Sequence, residues 1–360
     1  ESHLLCYAGS GLFSAQAERE IAALLHANEV PLITTMCRRG LLPESSDLNL
    51  GSFGFAGQSQ TRDCLFLPEL RSVLLLGVEL TDRNTLNWAS QLFSEQRQVI
   101  LVHPDCPDVL LDAYPHLEWI QANPEDVISA LSAQTVSPTP DILMQRRQWL
   151  SELKSKTSSE HKKMSRPESP DLILLKTLFA SLQSDLSSDT PIFVDAGLSK
   201  LYAGSYWQVE RPGSFFLSAQ MGAMGWALAA AIGAAFVCPE DRILVLTGDG
   251  CLQMQGMELV TAVRYQLPIT FIVLNNQSLG SVALRMPHDS PARKLLQTAG
   301  VNWQAFGASL GMQTYQLSVI DELSTFRQKH QQTSGPLLLE VLIDLPLMLE
   351  HPELLKAAFS

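Results

Sequence analysis

RILVLTGDGCLQMQGMELVTAVRYQLPITFIVLNN, residues 242–276, decides the reading of the fold. Two apolar runs, RILVLTG and PITFIVL, end in Gly248-Asp249-Gly250 and Asn275-Asn276. Neither run alternates apolar with polar residues, so each reads as a strand covered on both faces, within a parallel sheet flanked by helices. The chain between Gly250 and Asn275 has the length of one helix plus one strand, so the two polar clusters reach the same rim of the sheet. Ligands collect beyond the carboxyl ends of such strands. Asp249 offers a carboxylate oxygen and Asn276 an amide oxygen, hard ligands that suit a magnesium ion completed by waters and by the oxygens of a phosphorylated ligand. A helix predicted over Cys251–Tyr265 presents its free N–H groups and positive dipole end to a diphosphate. Asp-Gly is also a common turn and Asn-Asn a common strand cap. The spacing of the pairs on consecutive strands is what favours a site.

Working outward, further strands are predicted at PIFVDAG (191–197) and PLLLEVLID (336–344), giving one domain over residues 171–348. Upstream, LLCYA (4–8), VPLITT (30–35), SVLLLGV (72–78) and VILVH (99–103) read as strands and AQAEREIAALLHAN (15–28) as a helix, giving another domain over residues 1–133. Residues 134–170, rich in Ser, Thr, Pro and Lys, read as a linker. Its DILMQRRQWLSELK (141–154) reads as a connecting helix packed on one domain, with Lys and Arg on a solvated face. Residues 349–360 form a tail, and LPLMLEHPELLKAAFS (345–360) reads as a short helix over the site or an interface, or as plain packing. The fold class expected is α/β, with two doubly wound parallel-sheet domains.

The 360 residues carry a formal net charge of -12, which disfavours nucleic acid as a partner. Cys6, Cys37, Cys64, Cys106, Cys238 and Cys251 stand far apart without a C-x-x-C pair, as free thiols in a reducing, cytoplasmic compartment do. The uncharged stretch Met221–Cys238 is mostly Gly and Ala and runs straight into Pro239-Glu240-Asp241-Arg242, so a helix buried in the α/β domain fits it better than a membrane span.

The G-D-G, gap, N-N pattern resembles the signature of thiamine diphosphate enzymes. Gly222-Ala223-Met224-Gly225 stands where acetolactate synthases and their relatives carry a G-x-M-G wedge, and Asn276-Gln277-Ser278-Leu279-Gly280 is similar to their run after the second Asn. The resemblance implies thiamine diphosphate and Mg2+ as cofactors. Asp249, the side chain of Asn276 and the carbonyl of Ser278 would hold the metal, with Gly248 flanking the site. Gly250 and Cys251 would donate N–H groups to the diphosphate, while Gly197 and Ser199 close over its other side. Leu198 departs from the longer polar residue usual there. Met224 would prop the cofactor in a bent shape, and the Gly222 carbonyl would accept a hydrogen bond from its aminopyrimidine amine. Outside that context, Met224 reads as core.

Residues 1–133 resemble the family's middle domain through YAGSGLF (7–13), PLITTMCRRGLLPESSDLNLGSFGFAG (31–57) and SVLLLGVELTD (72–82), which implies FAD, ADP or no ligand there. The family's pyrimidine-binding domain, whose glutamate starts the proton relay, is not among these residues, so the expectation is a truncated or proteolysed piece, inactive alone. Glu258 as a substitute base reads instead as a surface or interdomain residue. The implied activity is decarboxylation of a 2-oxo acid, with ligation of the product to a second carbonyl, by a transferase or lyase working as a homodimer or tetramer. Arg285 falls where acetolactate synthases carry tryptophan. It reads either as a partner for a substrate carboxylate or as a surface residue opening the loop Met286–Pro291. His103 and His330 are assigned no role. Two other readings stay open: a nicotinamide or flavin oxidoreductase built on Gly9-Ser10-Gly11, although VPLITTMCRR ends without an acidic residue for the ribose, and a non-catalytic cofactor-binding module.

Overall fold

The computed structural model describes residues 2–105, 108–114, 116–134, 138–164, 169–287 and 289–343. They form two compact units, one of residues 2–164 with Val209–Pro212, the other of residues 169–208 and 213–343. Cys106 and the tail at 345–360 lie outside the described residues.

The first unit holds β1 (Leu4–Ala8), β2 (Leu32–Thr34), β3 (Asn49–Ser52), β4 (Ser72–Leu76), β5 (Gln98–His103) and β6 (Leu117–Gln121) in the order β3-β2-β1-β4-β5-β6. Every pairing is parallel. The helix Ala15–Asn28 follows β1. The Ser14 side chain caps it by accepting the Ala17 N–H, and Ala17, Ile21 and Leu25 bury one stripe along it. The connecting helix Pro140–Met164 packs on this unit through Trp149, Leu150 and Leu153. Its basic residues are not simply a solvated face. Arg146 is buried and donates to the Asn28 carbonyl, because the end of the helix Ala15–Asn28 leaves acceptors that only a long cationic side chain reaches.

The second unit holds β7 (Ile192–Val194), β8 (Phe215–Leu217), β9 (Ile243–Gly248), β10 (Ile269–Asn275), β11 (Gln313–Leu317) and β12 (Leu337–Leu342) in the order β11-β12-β10-β9-β7-β8. This sheet too is parallel throughout. Residues of β10 are buried along its whole length, as a central strand with helices on both faces requires. The molecule is therefore α/β with two doubly wound parallel sheets. The uncharged stretch at 221–238 becomes the helix Trp226–Val237, with Ala227, Leu228, Ala231 and Ala235 in the core. Among the described residues no helix is long and apolar enough to cross a membrane.

In the first sheet the strand order reverses once, at β1; in the second it reverses at β7 and again where β12 returns between β11 and β10. The chain runs from β1 one way to β2 and the other way to β4, and from β7 one way to β8 and the other way to β9. Loops diverge at such a reversal and leave a crevice at the strands' carboxyl ends.

Candidate functional site

The second crevice gathers the polar strand ends. Gly248 pairs with Leu274 across β9 and β10, so Asp249 and Asn275 leave the sheet side by side. The helix after β9 starts at Asp249, two residues before the predicted Cys251, and a 3-10 turn at Gly256–Glu258 breaks it before Leu259–Arg264. Asp249 and Gly250 thus lie in its first turn, with Gly248 as the extended N-cap.

Asp249 is buried, and burial pushes its carboxyl pKa up. The Thr298 hydroxyl donates to Oδ2 at 2.6 Å, and backbone N–H groups of Gly250 and Asn276 oppose the rise. Asn276 Oδ1 accepts the Ser278 N–H at 3.1 Å, and the Ser278 carbonyl accepts the Gly280 N–H at 2.8 Å. Each oxygen keeps a second lone pair. Carboxylate, amide and carbonyl oxygens are the hard donors that magnesium takes. Among the described residues no cluster of three His, Cys, Asp or Glu offers a rival metal site.

From β7, Gly197 adopts a left-handed φ of 93° and opens the helix Leu198–Tyr206. Ser199 is buried there with its hydroxyl unpartnered, 3.8 Å from where a Cβ on Gly248 would sit. A Cβ on Gly250 would come within 2.8 Å of Leu279 Cδ2 and 3.5 Å of Met224 Cε, so Met224 reaches the same crevice. Gly222 (φ 62°) lies in the Met224 turn, with no direct contact to the Gly248–Gly250 loop among those described. Burial pushes the Cys251 thiol up to about 12, and its Sγ faces the Ala196 carbonyl, so this cysteine is a packing group, not a nucleophile. An orphaned hydroxyl, a glycine loop closed over by Leu279 and Met224, a buried carboxylate and two helix N-termini together fit a metal-bound diphosphate.

Sequence reasoning missed three groups. Asp195, at the end of β7, accepts the Gly225 N–H at 2.9 Å and the Thr247 hydroxyl at 2.9 Å, tying the Met224 turn to β7 and β9. Burial raises its pKa. An Asp closing an apolar strand was its visible signal. Glu340, inside the apolar run of β12, is buried and accepts from Asn275 Nδ2 at 2.6 Å and Gln316 Nε2 at 2.9 Å. Thr298 had no signal. Of the other candidates, Glu258 and Arg285 are exposed, His103 bonds the Asp105 carbonyl, and His330 is a buried neighbour of Thr270 whose burial pushes its pKa down to about 4.

The first crevice is built differently. The Gly9 N–H donates to the Leu76 carbonyl and the Gly11 N–H to the Gly77 carbonyl at 2.8 and 2.9 Å. Glu125 Oε1 accepts the N–H groups of Phe13 and Ser14, both at 2.7 Å. The Gly9, Gly11, Phe13 and Ser14 N–H groups are thus taken by the protein and are not offered to a dinucleotide diphosphate.

Residues 195–341 match the model of the thiamine pyrophosphate enzyme C-terminal TPP binding domain, and residues 2–131 that of the thiamine pyrophosphate enzyme central domain. The chain belongs to the thiamine pyrophosphate enzymes. It is 26% identical over 340 residues to the acetolactate synthase isozyme 1 large subunit of Escherichia coli, covering 94% of this chain and 58% of that protein. It is 24% identical over 325 residues to the mitochondrial acetolactate synthase of Schizosaccharomyces pombe, covering 88% and 48%. With the acetolactate synthase large subunit of Cyanidium caldarium it shares 26% over 347 residues, 94% and 57%. The chain spans about half the length of the curated relatives it matches.

Proposed function

We propose that the β7/β9 crevice binds thiamine diphosphate through Mg2+, as part of an acetolactate synthase-like enzyme that decarboxylates a 2-oxo acid and joins the product to a second carbonyl. The observation that carries this reading is the meeting of buried Asp249 with the unpartnered Ser199 hydroxyl across the Gly248–Gly250 loop. When bound, the cofactor supplies an acidic carbon and an electron sink for the carboxylate's electron pair.

The chain's own residues would bind and orient. Asp249, the Asn276 amide oxygen and the Ser278 carbonyl hold magnesium. The N–H groups of Gly250 and Cys251 take one side of the diphosphate, while the Gly197 turn and the Ser199 hydroxyl take the other. Met224 sets the shape of the bound cofactor, and the Gly222 carbonyl accepts from its amine. Domain roles follow: residues 1–133 serve as the middle domain and 171–348 as the diphosphate domain, joined by 134–170. The activating carboxylate comes from outside these 360 residues, which are inactive on their own. The enzyme works as a cytoplasmic homodimer or tetramer in the transferase or lyase class, without nucleic acid.

Calorimetric titration of thiamine diphosphate into the chain, with and without magnesium and again with Asp249→Ala, tests this. Saturable binding that needs both the ion and Asp249 is expected. Binding indifferent to either would overturn the assignment.

A further inference from the structure

The loop after β10 does not stand alone. The Leu279 N–H donates to the Leu296 carbonyl at 2.8 Å and the Thr298 N–H to the Gln277 carbonyl at 2.9 Å, with an antiparallel bridge between Ser278 and Gln297. Residues 296–298 form a short strap zipped along 277–279. Gln253 Nε2 donates to the Ala299 carbonyl at 3.2 Å, fastening the strap to the helix that begins at Asp249. Where the strap passes the strand ends, the Thr298 hydroxyl donates to Asp249 Oδ2 at 2.6 Å.

We propose that Thr298 is a positioning residue for the cation site: its hydroxyl holds the Asp249 carboxylate by Oδ2 and so orients it for the metal, and it locks the loop carrying Asn276 and Ser278 to the same carboxylate. This rests on the reading that Asp249 holds magnesium. The chemistry is directional. A carboxylate only accepts, so the threonine hydroxyl is the donor, and its own lone pairs stay free for water or a phosphate-bound neighbour. A carboxylate on a short side chain swings between near-equivalent rotamers, and a neutral donor on one oxygen selects among them without offsetting the negative charge the cation needs. Because the strap also makes two backbone bonds to the loop, the loop oxygens and the carboxylate hold one spacing. Second-layer groups of this kind are worth about 10–100-fold in metal affinity.

Three proteins separate this role from simple packing: the wild-type chain, Thr298→Val, which keeps the branched shape and loses the hydroxyl, and Thr298→Ser, which keeps the hydroxyl. The readout is the magnesium concentration giving half-maximal thiamine diphosphate binding, followed by calorimetry, with cofactor affinity at saturating magnesium recorded beside it. The expected result is a rise of about 10-fold or more in the half-saturating magnesium for Val, wild-type behaviour for Ser, and cofactor affinity at saturating magnesium unchanged within about twofold. An unchanged magnesium requirement in Val overturns the inference while leaving the cation site standing, as does an equal rise in Val and Ser. Wild-type binding that ignores magnesium removes the cation site and this inference with it.

Discussion

At the reversal of the first sheet, between β1 and β4, backbone meets backbone: a Cβ on Gly77 would lie 2.7 Å from Gly11 Cα, and one on Gly9 2.4 Å from the Gly77 carbonyl. At the reversal of the second, between β7 and β9, the same topology leaves a buried carboxylate, an unpartnered hydroxyl and loop glycines whose nearest neighbours are side chains. Topology decides where a crevice forms, and local chemistry decides whether the protein fills it. In the first sheet Glu125 takes the turn's Phe13 and Ser14 N–H groups; in the second the Ser199 hydroxyl is left without a partner.

The largest contrast lies in the glycines. Gly77→Ala introduces a side chain at φ 59° against the backbone of Gly11 and should cost about 3 kcal/mol or more of folding stability, read by denaturant unfolding. Gly250→Ala meets only the movable end of Leu279, so unfolding should barely change while thiamine diphosphate affinity falls about 10–100-fold, the equivalent of overpacking by 1–3 kcal/mol. If both variants lost stability and neither lost affinity, the contrast would collapse. Ser199→Ala removes an unpartnered buried hydroxyl, so the melting temperature should hold or rise while cofactor binding weakens about fivefold. A lower melting temperature with unchanged affinity would instead give the hydroxyl a structural partner.

Acid should separate the crevices as well. Burial raises the pKa of Asp249, so magnesium-dependent binding, full at neutral pH, should decline as pH falls while ordinary carboxylates are still ionised, by about tenfold per pH unit below that raised value. Glu125 is shifted the other way by the Ser14 and Phe13 N–H groups. Its cap contributes above the unfolded-state pKa and is lost only as pH falls through the lowered folded one, a small effect at so exposed a group. Binding measured against pH should therefore fail before the Glu125 cap is lost.

How legible this was depended on burial. The inner strands β1, β2, β4, β5, β7, β9, β10 and β12 all fall within apolar runs visible in the sequence, because a strand covered on both faces must be apolar throughout. The four strands that went unread, β3 (NLGS), β6 (LEWIQ), β8 (FFL) and β11 (QTYQL), are the four edge strands, short or rich in polar residues. The candidate ligands were legible because Asp and Asn are out of place at the ends of apolar strands. Thr298 was not, because its tie to Asp249 spans 49 positions and depends on where the strap lands.

The most direct test is a crystal structure of the chain grown with thiamine diphosphate, magnesium and FAD together. The account predicts diphosphate density only between β7 and β9, with magnesium about 2.1 Å from an Asp249 oxygen. A diphosphate lodged at Gly9–Gly11, or a metal away from Asp249, would contradict it.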